Sequence, residues 1–239
     1  MKKVIHKAAS RGFADHGWLQ AQHSFSFANW FDQERINFGA LRVLNDDYVV
    51  PGKGFGMHPH ENMEIVTIPL SGSLAHKDNK GHENLIRRND IQVMSAGKGI
   101  WHSESNASDL EPVTLFQVWI LPEKDECEPR YDQKYFDPEG RLNTWQKIIA
   151  PEKGREWLWL NQKAYFSLAN LECGHTLEYR LHGKNQGLYI FIINGEAGVE
   201  GEILAKRDAI GLWDVTRVSL TTPGFADILA IEVPMLQAG

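Results

Sequence analysis

His58-Pro59-His60 and, further along, His102-Ser103-Glu104 each set two potential metal ligands two residues apart. On a β-strand that spacing turns both side chains to one face. Two such strands facing each other inside a barrel would gather three imidazoles and a carboxylate around one divalent cation. No helical motif and no cysteine would be needed. Nitrogen and oxygen donors without thiolate suit Fe2+, Ni2+, Cu2+, Zn2+ or Mn2+ rather than a finger-type structural zinc. Four protein ligands leave one or two positions open on a five- or six-coordinate ion, where a substrate or dioxygen can bind. Spacing leaves two candidates for the carboxylate. Glu64 shares the parity of His58 and His60, and Glu104 shares that of His102.

The elements that must position these residues read as strands. Leu41 to Leu44, Glu64 to Leu70, Ile91 to Ser95, Thr114 to Leu121, Leu188 to Ile193 and Ile228 to Val233 are short runs rich in Val, Ile, Phe, Tyr and Trp, bounded by Gly, Asn, Asp and Pro. They are too short for a helical bundle. Several are apolar throughout, as expected for strands buried on both faces, and their number and spacing indicate jelly-roll barrels. Gly52, Gly54 and Gly56 would let the backbone close in at a barrel mouth.

A pattern recurs. Glu64 to Leu70 leads into Ser71-Gly72, a further strand and Asn89-Asp90-Ile91; Leu188 to Ile193 leads into Asn194-Gly195, a further strand and Arg207-Asp208-Ala209. This internal repeat predicts an all-β protein with two β-barrel domains in tandem. The expected division is a metal-binding domain over 1–121, a linker over 122–144 and a second, degenerate barrel over 145–239. The linker assignment rests on the charged, proline-containing stretch from Pro122 to Gly140. The second half offers only His175 and His182, with no ligand type near Ser219 and Leu220. One barrel is therefore expected to carry metal and the other to serve as scaffold.

Bulk properties bound the partners. With 239 residues, 42% hydrophobic, 23% charged and a net charge of −6, the chain suits a globular protein without a broad basic surface for nucleic acid. The opening lysines are not followed by an apolar stretch, and no run of about 18 apolar residues occurs. The expectation is a cytoplasmic, monomeric protein with no membrane span, no direct nucleic-acid contact and two free thiols, Cys127 and Cys173.

Gly52, His58, His60, Glu64 and Gly72 resemble the first signature motif of the cupins, and Gly99, His102 and Asn106 the second, although Gly97 replaces its usual proline. The resemblance is denser to one subgroup, the pirin family. It runs through His23-Ser24-Phe25-Ser26-Phe27, Arg42 to Asp47, Gly54 to His60, Met63 to Thr67 and Ala96 to Glu104. The resemblance implies a bicupin fold with a divalent cation, Fe2+ foremost, held by His58, His60, His102 and Glu104. Glu64 then stands behind the ligands, and Glu104 or Glu64 serves as the catalytic base. It further implies a flavonol 2,4-dioxygenase (quercetinase), which takes up O2, cleaves the flavonol ring to a depside and releases CO. A second reading is a metal-dependent binding or redox-sensing protein that acts as a regulatory cofactor through protein contacts. A third, a cupin isomerase or sugar-binding protein, ranks last because no Arg and Lys cluster offers a phosphate clamp.

For the aromatic substrate, Phe27, Trp30, Phe55, Met57, Met94, Trp101 and Phe116 are candidate pocket walls, while Trp119 and Trp213 are expected in the core. His6, His16, His76 and His82 have polar neighbours and are expected in solvent. His23 is expected to be structural.

Overall fold

The computed structural model describes residues 1–236. The apolar runs pair into three sheets of seven, four and ten strands. The seven-stranded sheet runs, in spatial order, Arg130–Tyr135, Asp90–Ser95, Glu64–Ser71, Val113–Ile120, Leu41–Val49, Leu19–His23 and Gly12–Asp15. Facing it is the four-stranded sheet of Gly54–His60, Ile100–Asn106, Ser73–Asp78 and Glu83–Arg87, which closes the first barrel. The ten-stranded sheet folds into the second.

The predicted repeat is visible in the backbone. Gly72 and Gly195 both sit in the left-handed region, at φ 71 and 79, and so do Asn89 and Arg207, at 70 and 68. Asp90 accepts a hydrogen bond from the Arg87 amide at 2.8 Å, and Asp208 accepts one from the Ala205 amide at 3.1 Å. The same turn chemistry therefore ends the same strand in each half. At Gly195 the requirement is also steric, since a Cβ would lie 1.9 Å from the Phe225 carbonyl oxygen.

The largest apolar cluster lies between the barrels rather than inside either. Val66, Ile68, Val93, Phe116 and Val118, on the outer face of the seven-stranded sheet, pack on Phe166, Leu168, Tyr189, Phe191, Leu229 and Ile231 of the second barrel. Phe116 and Phe191 meet edge to face at 5.1 Å. Asp46 pins the same seam by ion pairs to Arg11 at 3.3 Å and Arg207 at 2.8 Å. This two-sided burial explains why several strands read as continuous apolar runs.

Two strands cross the expected domain limits. Lys2–His6 pairs antiparallel with Ala209–Trp213 of the second barrel, so the first residues belong to the later domain's sheet. Arg130–Tyr135, within the expected linker, pairs with Asp90–Ser95 and forms an edge of the first barrel. Its charged composition reads as a connector because an edge strand exposes one side to water. Cys127 and Cys173 are free.

Candidate metal centre

The two ligand pairs lie on adjacent strands. Ile100–Asn106 pairs antiparallel with Gly54–His60, placing His102 opposite His58, and a bulge between His102 and Glu104 shifts the register so that Glu104 meets Phe55. Bulges re-aim side chains in this way near sites. The ring centroids are 4.4 Å apart for His58 and His102, 4.8 Å for His58 and His60, and 5.0 Å for His60 and His102. The coordinating atoms of all three lie within 4.8 Å of one another. The predicted strands thus stand side by side in one sheet instead of facing each other across the barrel.

These rings suit a cation. The His58 Nδ1–H donates to the Gly56 carbonyl at 2.8 Å, which leaves Nε2 as the free ligand atom. Both ring nitrogens of His102 are buried without a hydrogen-bond partner, a costly state that a bound cation relieves. Burial, aided by the neighbouring imidazoles, lowers the His102 pKa to about 3, and burial with His58 beside it lowers that of His60 to about 4. The rings accordingly stay neutral and available to metal.

Glu104 closes the group from the other side. It is buried, accepts hydrogen bonds from Gln117 at 2.5 Å and Thr67 at 3.3 Å, and stands within reach of His102 and His76. Burial outweighs those two donors and pushes its pKa up to about 7. A cation alongside would draw it back to the ionised form.

Glu64 is not part of this group. The strand Gly54–His60 ends at a turn where Asn62 takes φ 48, and Glu64 begins a strand of the other sheet. Parity does not carry through such a turn. Glu64 shares the seam-facing side of its strand with Val66 and Ile68, and it accepts hydrogen bonds from Ser95 at 2.8 Å and Asn161 at 2.9 Å. The expectation that it orients a ligand histidine or acts as base is therefore corrected; it ties the first barrel to a loop of the second half.

The histidines open onto a cavity of about 400 Å³, lined among others by Trp18, Leu19, Ala21, His23, Phe27, Asn45, Asp47, Phe55, Ile65, Gln117 and Trp119. Of the expected walls, Phe27 and Phe55 are present. Met94 and Phe116 are wholly buried in apolar clusters, Met57 and Trp101 are half exposed on the outside, and Trp30 packs over Gly12. Trp119, expected in the core, is a wall, set edge-on to Phe27 at 5.3 Å and to His60 at 4.9 Å. On the strand Val113–Ile120, Gln117 and Trp119 face inward, while Phe116 and Val118 face the seam.

Of the other histidines, His76 and His6 depart from expectation, whereas His16 and His23 follow it. His76 is buried beside His102, with ring centroids 5.3 Å apart, and its Nε2 lies 3.4 Å from Asp78. Asp78 in turn accepts from His82 Nδ1 at 2.8 Å. His6 is buried against Tyr189. His16 is exposed and reaches the cavity rim, and His23 is fixed to Asn45 at 2.8 Å. The composition around His76 hides its burial, because His76 and Asp78 turn inward while Lys77 between them faces solvent. In the second barrel the equivalent interior is filled by Leu177, Leu188, Ile190, Val199, Leu212, Val218 and Leu220. No helix among the described residues is long and apolar enough to cross a membrane.

Comparison with known proteins agrees with this architecture. A family profile described as Pirin matches residues 5–120, and one described as Quercetinase C-terminal cupin domain matches 147–233. The chain is 35% identical over 230 residues to "Quercetin 2,3-dioxygenase" of Escherichia coli (strain K12), covering 96% of this chain and 98% of that one. It is 38% identical over 226 residues to "Pirin-like protein" of Caulobacter vibrioides, covering 92% and 95%. Among solved structures it superposes on bacterial pirin YhhW from Escherichia coli in complex with nickel(II), with a TM-score of 0.93 and 33% identity, covering 98% of this chain and 100% of that one.

Proposed function

The chain belongs to the pirin family, and on that premise we propose that it is a metal-dependent flavonol dioxygenase of the quercetinase type, with His58, His60, His102 and Glu104 as the metal ligands. The observation that carries the reading is His102. It is buried with both ring nitrogens unpartnered, and it stands among two further imidazoles and a carboxylate at the wall of an aromatic-lined cavity. The nickel(II) complex of the related bacterial pirin supports a divalent cation for this chain.

When bound, a divalent cation supplies Lewis-acid and redox chemistry to a flavonol and dioxygen. The protein's own residues perform the remaining tasks. Trp119, Phe27 and Phe55 offer ring faces and edges to a flat aromatic substrate and keep water from it. Gln117 and Thr67 fix the Glu104 carboxylate. Glu104, buried beside the histidines and ionised next to the cation, is the carboxylate positioned to hold the proton released by the flavonol 3-hydroxyl. The net change is flavonol plus O2 to depside plus CO.

Fe2+ is the proposed cation, with Ni2+, Cu2+, Zn2+ and Mn2+ compatible with the same donors. The second barrel covers the outer face of the seven-stranded sheet, so a monomer suffices, and a cytoplasmic location is proposed with it. The largely apolar, aromatic-lined cavity beside the histidines favours a substrate over the regulatory-cofactor reading.

The test is O2 uptake and CO release when quercetin is added to protein loaded with Fe2+, Ni2+ or Cu2+, with His102→Ala as control. Metal-dependent CO release lost in the variant supports the reading. No turnover at confirmed full occupancy overturns it.

A further inference from the structure

The polar residues of the cavity wall form a row in strand register. His23 pairs with Asn45, Asn45 with Gln117, and Gln117 with Thr67. The row is internally satisfied. His23 bonds Asn45, and Gln117 and Thr67 converge on Glu104. Apart from the histidine group and the exposed His16 at the rim, one polar side chain of the wall stands outside it. Asp47 lies two residues beyond Asn45 on the same strand and faces the same cavity, about 7 Å further along. Its cross-strand neighbours are Ala21 and Leu115, which have no side-chain donor to offer. The residue is buried, and Oδ1 has no hydrogen-bond partner. The next residue back, Asp46, carries two arginines on the opposite face; Asp47 has none.

A lone buried carboxyl destabilises the fold and persists in a cavity wall when a ligand supplies its partner. The cavity wall thus carries Asp47 in addition to the histidine group, with Ala21, Phe55 and Trp119 among the largely apolar residues that also line it. We propose that Asp47 is a specificity-determining residue, which hydrogen-bonds a hydroxyl of the substrate remote from the atoms that meet the metal. The ligand class this selects is a flat, polyhydroxylated aromatic. A flavonol bare of hydroxyls at the far end would leave Asp47 unpaired and bind worse. Sites built to bond a substrate hydroxyl discriminate sharply against analogues that lack it. Burial, with the Asp46 and Glu104 charges nearby, also raises the Asp47 pKa to about 8.

This inference rests on the flavonol reading above, and its test separates the two. Binding of quercetin, of galangin (no hydroxyl on the pendant ring) and of 7-deoxyquercetin (no 7-hydroxyl) is titrated by fluorescence quenching on metal-loaded wild type, Asp47→Leu and Asp47→Asn. Metal content and Tm are measured alongside. The expected result is that Asp47→Leu loses about tenfold or more in quercetin affinity and no longer distinguishes quercetin from one of the two analogues. Asp47→Asn restores part of the preference, and Asp47→Leu keeps its metal and gains thermal stability. Equal quercetin affinity in wild type and Asp47→Leu, or a uniform loss across all three flavonols, overturns the assignment and leaves the flavonol reading standing. A wild-type protein that binds none of the three overturns both.

Discussion

His58 and His102 stand directly opposite each other on neighbouring antiparallel strands, with ring centroids 4.4 Å apart. Two short histidine motifs distant in sequence are thus brought together by one strand pairing. Removing either ring opens the group. His102→Ala is expected to lower bound metal to well under one equivalent while the circular dichroism of the all-β fold is retained. Elemental analysis after desalting decides it, and full retention of metal removes His102 from the ligand set.

The two carboxylates that spacing alone left in contest now separate. Glu104→Gln should weaken metal binding markedly, because the side chain sits beside His102. Glu64→Gln should leave metal content unchanged and reduce stability by about 1 kcal/mol, because it perturbs the hydrogen bonds from Ser95 and Asn161. Parallel metal titrations and denaturant melts of the two variants check this. The reverse order would return the ligand role to Glu64.

The seam between the barrels should be more sensitive than either rim. Phe116 is wholly buried, edge to face with Phe191, and stacked under Arg207. Phe116→Ala is expected to cost about 3–5 kcal/mol, read as a fall in the denaturation midpoint. The metal equivalents bound by the folded fraction should not change.

The seam also sets a pH dependence. His6 is buried on the first strand, with Nδ1 2.9 Å from the Tyr189 hydroxyl. Burial, reinforced by Arg35, lowers its pKa from 6.5 to about 4. As pH falls below 6.5 the unfolded chain takes up the proton first, and the folded chain resists until about pH 4. The stability from neutral His6 is thus complete above pH 6.5 and declines as pH falls toward 4. The Tm advantage of wild type over His6→Asn should shrink across that window. An advantage that grows on acidification would contradict the assignment.

Much of this could be read from residue order, for identifiable reasons. The three histidines were legible because each pair lies within one strand, where a spacing of two fixes the face. The repeat was legible because turns need particular residues, and Gly72 and Gly195 mark the same left-handed position in each half. Glu64 was misplaced because parity counts only within a strand, and the Asn62 turn resets it. Phe116 and Trp119 changed places because a strand buried on both faces has apolar residues on both, leaving no alternation to reveal the inside. Asp47 left a signal that could have been used, the polar pair Asn45 and Asp47 two apart, flanked at the same parity by Val43 and Val49.

The pairing of Lys2–His6 with Ala209–Trp213 bears on how the molecule is made. About 200 residues separate these partners, and at roughly 5–20 residues per second a ribosome needs tens of seconds to deliver the second after the first. Of the two partners, the strand made first therefore waits for the other before it can dock. During that interval the first barrel can close on its own sheets, while its seam face waits uncovered for the strands of the second. Lys2 and Lys3 keep the waiting segment charged, which disfavours pairing with the wrong edge. Joining the two barrels is thereby the closing event of biogenesis, and destabilised variants should be most exposed to aggregation before it.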